Sequence, residues 1–217
     1  MTDPNHDLSL RSGERQFAKS LNEIRGDHRR RYEFGISRLS PPGFGLDLFC
    51  GNGYGSYMAA AQNLELLAID ASEEAIALAS DAYACPGVFH CCKMWPFKLP
   101  EACFDFAFCF ESVEHVEDGP EFVRAVSRSL KPGGHLFLST PNEELMPFRP
   151  AQHKFHVRHY TLDQTFDLVR QVGMSVETWG GQTVYDIHQD GTHSLVNPDA
   201  DIHLETPGQF IILHSRK

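Results

Sequence analysis

Short apolar runs recur along the chain, separated by segments in which the apolar residues follow a helical spacing. The apolar runs predict strands over residues 45–49, 64–69, 88–92, 104–110, 135–139, 176–179 and 209–213. An alanine-rich run at 56–62 predicts a helix. Further helices are predicted to begin at Ser72, at Asp118, and at Thr161, where Gln164 completes a capping-box pattern. Strands and helices that alternate in this way predict βαβ units.

The predicted fold class is therefore α/β, with a Rossmann-like, doubly wound, mainly parallel seven-stranded sheet and helices on both faces. A charged, helix-compatible region at 14–39, interrupted by Gly26, predicts an N-terminal helical cap, and residues 1–12 predict a mobile tail. We expect one compact domain, with the tail and cap over 1–40 and the α/β core over 41–217. Residues 182–207 lack periodicity and predict a long loop that is either functional or disordered.

The overall charge narrows the range of partners. A formal net charge of −10 disfavours a nucleic-acid partner, which requires a basic face, although a basic patch runs from Arg25 to Arg31. The six cysteines form no C-x-x-C pair and mostly lie in apolar runs, as expected of reduced core cysteines in a cytosolic protein. No leader-like segment opens the sequence and no apolar stretch reaches membrane-spanning length, so we expect a cytoplasmic protein without membrane insertion. The oligomeric state is left open.

The first predicted strand ends in a glycine-rich turn. Gly51 and Gly53, with Asn52 between them, let the backbone turn sharply and approach a ligand closely. The spacing G-x-G-x-G differs from the dinucleotide pattern G-x-G-x-x-G, so a nicotinamide-dependent oxidoreductase is the least favoured function. An acid, Asp47, precedes the turn and suits a ligand that carries an ammonium group and a positive sulfur rather than a pyrophosphate.

A second acid, Asp70, ends the second predicted strand. A carboxylate at this edge can accept hydrogen bonds from both hydroxyls of a ribose. The alternative, that Asp70 caps the following helix, is weaker because Ser72 already offers a cap. The two acids and the glycine turn predict a nucleoside pocket.

A series of short motifs resembles the consecutive motifs of class I S-adenosylmethionine-dependent methyltransferases, at residues 47–56, 67–70, 95–97, 103–105, 111–116 and 130–134. Residues 139–142, 155–158 and 160–161 resemble a narrower bacterial group that includes polysaccharide and O-antigen methyltransferases, and residues 13–15, 28 and 31–32 are similar to its cap segment. The resemblance implies S-adenosylmethionine as cofactor and S-adenosylhomocysteine as product. The cofactor-binding residues expected on this basis are Asp47, Gly51, Asn52, Gly53, Asp70, Ala71, Met94, Trp95, Glu111, Arg31 and Tyr32.

Two positions depart from the family pattern. Phe49 stands where the first glycine of the motif is usual, so the turn must accommodate an aromatic side chain. The acid that contacts adenine in the family is matched by Cys91 or Cys92, so adenine contacts would fall to backbone groups and to Met94 or Trp95. These departures keep open a non-catalytic S-adenosylmethionine-binding module as an alternative.

Catalytic candidates follow the fourth predicted strand. Methyl transfer from a sulfonium is an in-line displacement, and an acceptor hydroxyl gains from a general base. Glu111 ends the strand, and Glu114 and His115 lie one short turn further on. We predict His115, Glu114 and His156 as catalytic residues. The alternative is that His115 packs against the sheet or bonds a backbone carbonyl.

Three histidines, His153, His156 and His159, are spaced three residues apart. Such a cluster could ligate a divalent ion, but the imidazoles would share one face only in a helix, and a better helix start lies at Thr161. We therefore predict no metal, with an acceptor or base role for His156 and plain surface histidines as the alternatives.

Basic residues of the cap offer a further contact. Arg29, Arg31 and Tyr32 could close over the carboxylate of the cofactor, because arginine supplies a bidentate fork. The alternative is a solvated basic helix face.

The function predicted is O-methylation of a sugar or polysaccharide-linked acceptor by an S-adenosylmethionine-dependent methyltransferase of polysaccharide biosynthesis. The choice of acceptor depends on the family resemblance alone. Quinone-like or phenol-like small molecules are the alternative acceptors, and an apolar ring would suit Phe97, Phe148, Phe155 and Trp179.

Overall fold

The computed structural model describes residues 16–188 and 190–217. The tail predicted at 1–12 and the cap motif at 13–15 lie outside the described residues. No helix in the described ranges is long and apolar enough to cross a membrane.

The fold is built on one large sheet with the strand order β3-β2-β1-β4-β5-β10-β6-β9, and a separate pair is formed by β7 and β8. Strands β1 to β5 run parallel, whereas β10 is antiparallel to both β5 and β6. The strands are β1 Gly43–Leu48, β2 Leu64–Asp70, β3 Val88–Cys92, β4 Phe104–Phe110, β5 Leu130–Pro141, β6 Ser175–Gln182, β7 Tyr185–Ile187, β8 His193–Leu195, β9 His203–Leu204 and β10 Phe210–Arg216. The helices are α1 Gly26–Ile36, α2 Tyr54–Ala60, α3 Glu73–Ala82, α4 Gly119–Ser129 and α5 Leu162–Arg170.

Helices cover both faces of the sheet, and the central strand β4 packs against helices on each face. Side chains of a strand alternate between its two faces. Phe106, Phe108 and Phe110 therefore enter one hydrophobic core together with residues of α1 and α2. Ala107 and Cys109 enter the other core, which contains residues of α4 and α5. Because β4 is buried on both faces, it reads as an apolar run that only Asp105 interrupts.

The predicted α/β class is confirmed. All seven predicted strands are present, and the two-residue strand β9 adds an eighth at the edge beside β6. The helix starts also agree: Ser72 Oγ accepts a hydrogen bond from Ala75 N at 3.2 Å, and Asp118 Oδ1 accepts one from Glu121 N at 2.9 Å. Thr161 and Gln164 form the capping box at the start of α5.

Two expectations need correction. Gly26 does not interrupt a helix but is the first residue of α1. A glycine suits this position because residue 199 packs against it so closely that a Cβ would lie 2.0 Å from Asp199 Oδ1. The segment at 182–207 contains β7, β8 and β9 among its described residues. Strands of two or three residues are too short for period-two alternation to mark them in a sequence.

Candidate active site

A cavity of about 1060 Å³ opens at the carboxyl edge of the parallel strands. Since parallel strands end at the same edge, the residues after β1, β2 and β4 meet there. Its lining includes the strand ends, the cap helix α1 and the segment around residues 152–157. Predicted site residues in the lining are Arg31, Tyr32, Gly51, Asn52, Asp70, Ala71, Met94, Trp95, Glu111, His115 and His156.

The glycine turn is shaped by backbone requirements. Gly53 has a φ of +81° and is the N-cap of α2, and a Cβ there would lie 2.7 Å from Ala79 Cβ. At Gly55 a Cβ would lie 2.0 Å from the Tyr32 ring, so this glycine lets the cap helix pack onto α2. Gly53 is outside the cavity lining, and its part is to turn the chain.

Asp70 links the turn to the end of β2. Its Oδ2 accepts a hydrogen bond from Gly51 N at 2.9 Å, and its Oδ1 accepts one from Ser72 N at 2.9 Å. The side chain is only 3% exposed yet lines the cavity. Each carboxylate oxygen can accept a second hydrogen bond, so Asp70 can hold the turn and still receive ligand hydroxyls.

Phe49 adopts the left-handed backbone conformation, with a φ of +61°. Glycine is the usual residue in that region because it has no Cβ to clash. The Phe49 ring stacks on His115 with 6.0 Å between ring centroids and meets Phe122 edge-on. The turn thus accommodates the aromatic residue by directing its ring along the wall of the cavity.

Asp47 lies beneath the cavity rather than in its lining. It is fully buried and accepts hydrogen bonds from Tyr32 Oη at 3.1 Å and Ser56 Oγ at 2.6 Å. Burial raises the pKa of Asp47 to about 7, although these two hydrogen bonds favour its ionised form. Through these contacts Asp47 joins the cap helix α1 to α2.

Arg31 is a buried cation that faces the cavity, 1% exposed. Its Nε donates to Gln182 Oε1 at 2.8 Å, and its Nη1 lies 3.2 Å from Glu111 Oε1. Within the described residues neither Nη1 nor Nη2 has an aligned hydrogen-bond acceptor. Arg29, the other arginine predicted to contact the cofactor, is not in the cavity lining. Its guanidinium lies 4.0 Å from the Asp199 carboxylate.

Glu111 is held in place beside this cation. Its backbone φ is +49°, and its Oε1 accepts a hydrogen bond from Ser139 Oγ at 2.7 Å. Arg31 and Glu111 therefore present a positive and a negative group side by side at the cavity wall.

Glu114 and His115 belong to a short 3₁₀ turn after β4, at Val113–His115. Glu114 is fully buried, and burial together with the nearby Glu111 raises the pKa of Glu114 well above its usual range. Thr140 lies beside the carboxyl group without making an aligned hydrogen bond to it. Glu114 itself does not line the cavity, whereas the next residue, His115, does.

The His115 ring is fixed by a backbone carbonyl, as the alternative interpretation required, and it also lines the cavity. Its Nδ1 lies 3.0 Å from Phe155 O. A carbonyl oxygen can only accept, so Nδ1 carries the proton and Nε2 carries the lone pair of the neutral ring. The next segment is tied to the same turn, since Val157 N donates to Glu114 O at 2.7 Å.

His156 is oriented through His159. His159 Nδ1 lies 2.6 Å from Met146 O and so donates to it, which leaves His159 Nε2 to accept from His156 Nδ1 at 2.7 Å. Burial lowers the pKa of His159 to about 4, which keeps that ring neutral. The lone pair of His156 therefore also lies on Nε2.

The histidine cluster forms without a helix, which corrects the expectation at 153–159. Ring centroids of His153, His156 and His159 are 4.5–5.5 Å apart, although the segment consists of turns. Hydrogen bonds to neighbouring loops gather the rings: His153 Nδ1, for example, accepts from Arg149 N at 3.0 Å.

The two side chains predicted to contact adenine both reach the cavity. Trp95 and Met94 line the cavity, and the Trp95 ring packs edge-on against Phe97 and Phe122. Cys92 is exposed, and its thiol lies 3.6 Å from Ala71 O.

Sequence reasoning missed part of the lining, including Arg25 and Tyr185. Arg25 Nη1 donates to Tyr185 Oη at 2.9 Å, a contact between residues 160 positions apart. Tyr185 and His193 lie on β7 and β8, where no periodic pattern marks them. The basic patch was the sole signal for Arg25.

Comparisons with known proteins agree with this architecture. Residues 46–138 match a family described as a methyltransferase domain. A probable S-adenosylmethionine-dependent methyltransferase of Mycobacterium tuberculosis is 30% identical over 151 residues, which cover 66% of this chain and 54% of that protein. A ubiquinone biosynthesis O-methyltransferase of Xanthomonas axonopodis is 36% identical over 126 residues, which cover 56% of this chain and 53% of that protein. The chain thus spans about half the length of these curated relatives.

A solved structure extends the comparison to most of the chain. The crystal structure of an S-adenosylmethionine-dependent methyltransferase of Thermotoga maritima, described as a possible histamine N-methyltransferase, aligns with a TM-score of 0.66 at 18% identity. The alignment covers 88% of this chain and 89% of that one, and it shows a shared fold. Residues 46–138 therefore match a methyltransferase domain in sequence, and most of the chain shares the fold of a solved S-adenosylmethionine-dependent methyltransferase.

Proposed function

We propose that this chain transfers a methyl group from S-adenosylmethionine to a hydroxyl of a small-molecule acceptor, with His115 as general base. The observation that carries the proposal is one cavity that joins the glycine turn, Asp70 and Arg31 to the imidazoles of His115 and His156. A module that only binds the cofactor has no need of oriented imidazoles at the far side of the pocket.

The cavity wall fits the cofactor. Arg31 Nη1 and Nη2 form ion pairs with Glu111 and Asp27 but make no aligned hydrogen bond in the described residues, so they suit a further carboxylate. The adjacent Glu111 suits an ammonium group, so Arg31 and Glu111 match the zwitterionic amino-acid end of the cofactor. Asp70 would receive the ribose hydroxyls. Met94 and Trp95 would cover the adenine ring, since both line the same cavity as Asp70.

Bound S-adenosylmethionine supplies a methyl group on a positive sulfur. The residues of the chain orient the acceptor and manage its proton. His115 Nε2 carries a lone pair, so it can take the hydroxyl proton as the acceptor oxygen forms its bond to the methyl carbon and the carbon–sulfur bond breaks. Phe49, stacked on His115, restricts water at the reacting oxygen.

Aromatic side chains favour a phenol-like acceptor over a sugar. Phe49, Phe110, Phe155, Tyr185 and Phe210 all line the cavity and offer flat apolar surface to a ring. The ubiquinone biosynthesis relative has a name consistent with such an acceptor.

A sugar-linked acceptor is the second candidate, because residues 139–142, 155–158 and 160–161 resemble the polysaccharide group. Some of these residues have a structural part here. Asn142 is buried, donates to Gly208 O at 3.1 Å and pairs with Tyr160 across an isolated bridge.

The test is incubation with methyl-labelled S-adenosylmethionine and matched acceptors, a catechol and a simple glycoside. We expect labelled catechol ether and S-adenosylhomocysteine. The variant His115→Ala should lose about 100-fold to 10,000-fold of the turnover, the usual contribution of a general base, while its affinity for S-adenosylhomocysteine stays near that of the wild type. His135→Ala, on the far part of β5, is the control. Uptake of cofactor without label transfer to either acceptor would contradict the proposal.

A further inference from the structure

We propose that Glu114, His115 and His156 form a site for one divalent transition-metal ion in the wall of the cavity, where His115 and His156 belong to the lining and Glu114 is buried next to them. One potential ligand atom from each of the three residues lies within 4.8 Å of the other two. The set differs from the His153, His156 and His159 cluster considered in the sequence. It includes a carboxylate that comes from a segment about 40 residues earlier.

Glu114 supplies the first observation. Its side chain is fully buried, and both of its carboxyl oxygens lack an aligned hydrogen bond in the described residues. Buried polar atoms are nearly always paired, so an acid with two unpaired oxygens requires a physical reason. A cation bound at these oxygens supplies one, because it replaces the missing hydrogen bonds.

The two imidazoles supply the second, independent observation. Metal-ligating histidines typically donate the other ring N–H to a carbonyl or a comparable acceptor, which fixes the tautomer and the ring orientation. His115 donates from Nδ1 to Phe155 O, and His156 donates from Nδ1 to His159 Nε2. Both rings therefore present the lone pair on Nε2, the atom that a metal requires.

Backbone contacts hold the three groups together. Val157 N donates to Glu114 O at 2.7 Å, next to the His115 contact with Phe155 O. The ring centroids of His115 and His156 are 4.7 Å apart as a result. The geometry is thus set by pairing between two chain segments and does not depend on long flexible side chains.

The donor set indicates the class of ion. Two imidazole nitrogens and one carboxylate suit zinc, nickel, iron or manganese, whereas calcium and magnesium prefer oxygen ligands. Three protein ligands leave coordination positions open, as in catalytic rather than structural metal sites. With an ion bound, His115 Nε2 would be a metal ligand and could not also act as a base. The ion would instead bind the acceptor oxygen beside the transferred methyl group and lower the pKa of its hydroxyl. That use of the ion rests on the proposed function, but the site itself can be tested without it.

The experiment is calorimetric titration of the chelator-treated protein with Zn²⁺, with metal content measured after dialysis. We expect saturable binding of one Zn²⁺ per chain. Glu114→Gln and His156→Ala should each weaken that binding at least tenfold. His135→Ala is the matched control, because it removes one imidazole of the remote His135–His214 pair and should leave the titration unchanged.

Each variant is also titrated with S-adenosylhomocysteine, which should bind as tightly as it does to the wild type and so show an intact fold. Absence of saturable Zn²⁺ binding, or full binding by both Glu114→Gln and His156→Ala, would overturn the inference. If label transfer proceeds equally with and without the ion, the metal role fails while the proposed methyl transfer stands. If Zn²⁺ binds as expected but no acceptor is methylated, the proposed function fails and the site stands.

Discussion

At the scale of single residues, Phe49 replaces the usual first glycine of the turn motif but keeps the backbone conformation of that glycine. The φ of +61° is the conformation that glycine supplies in the usual motif. The Phe49 ring contacts His115 and Phe122, and these contacts offset the backbone strain. The sequence departure therefore alters the wall of the cavity without altering the path of the turn.

Two substitutions separate the strain from the ring contacts. Phe49→Ala and Phe49→Gly both remove the ring, but only alanine retains a Cβ in the left-handed region. Phe49→Gly should therefore be more stable than Phe49→Ala by about 1 kcal/mol, the reverse of the order in ordinary strands and helices. Urea unfolding of the two variants measures the difference. Equal midpoints, or a more stable alanine variant, would show that the position carries no strain.

Asp47 makes stability depend on pH. Its pKa rises from 3.8 to about 7 on folding because the carboxyl group is buried. Between these values the unfolded carboxyl has lost its proton and the folded one keeps it, so folding stability falls as the pH rises through this window. A shift of about 3 pKa units corresponds to roughly 4 kcal/mol, lost by the time the pH exceeds 7.

Asp47→Asn tests this, because an amide oxygen can still accept from Tyr32 and Ser56 but cannot ionise. Unfolding is measured without cofactor at pH 5 and pH 8. The wild type should lose about 3 kcal/mol relative to Asp47→Asn between these two conditions, because about two of the three pKa units lie between pH 5 and pH 7. The same change in both proteins would place the pH dependence elsewhere in the chain.

At the scale of elements, α5 depends on its capping box. Thr161 Oγ1 accepts from Gln164 N at 3.2 Å, and Gln164 Oε1 accepts from Thr161 N at 3.0 Å. Thr161→Ala removes one of the two bonds and should cost about 1 kcal/mol of unfolding free energy. Thr161→Ser keeps the hydroxyl and should stay within a few tenths of a kcal/mol of the wild type. Thermal and urea unfolding of both variants measure these changes in unfolding free energy. A serine variant destabilised as much as the alanine variant would show that the Thr161 hydroxyl does not stabilise α5.

For the molecule as a whole, local patterns were readable from the sequence and long-range contacts were not. The strand β4 and the capping box of α5 were predicted because the deciding residues are neighbours along the chain. The bond from Arg31 Nε to Gln182 Oε1 joins residues 151 positions apart and leaves no periodic trace. Glu114 was predicted as catalytic from its motif, but its burial depends on the segment at 152–157 folding over it.

Gln182, at the end of β6, connects the cap helix to the sheet. Substitution of Gln182 tests whether this connection positions Arg31. Gln182 is fully buried on β6. Its Oε1 accepts from Arg31, and its Nε2 donates to Asp27 O at 3.0 Å and to Ala200 O at 2.9 Å. Gln182→Ala leaves these buried groups unpaired, at a cost of about 3 kcal/mol in unfolding free energy.

The same substitution should lower S-adenosylhomocysteine affinity about tenfold, because Arg31 loses the bond that fixes its guanidinium and only a fixed fork binds a carboxylate well. Gln209→Ala is the matched control. Gln209 is also buried and bonds Val184 N, Tyr185 N and Tyr185 O, but makes no hydrogen bond to Arg31. It should destabilise the protein similarly and weaken cofactor binding less. Equal losses of affinity in both variants, measured by calorimetry, would mean that overall stability rather than the placement of Arg31 governs cofactor binding.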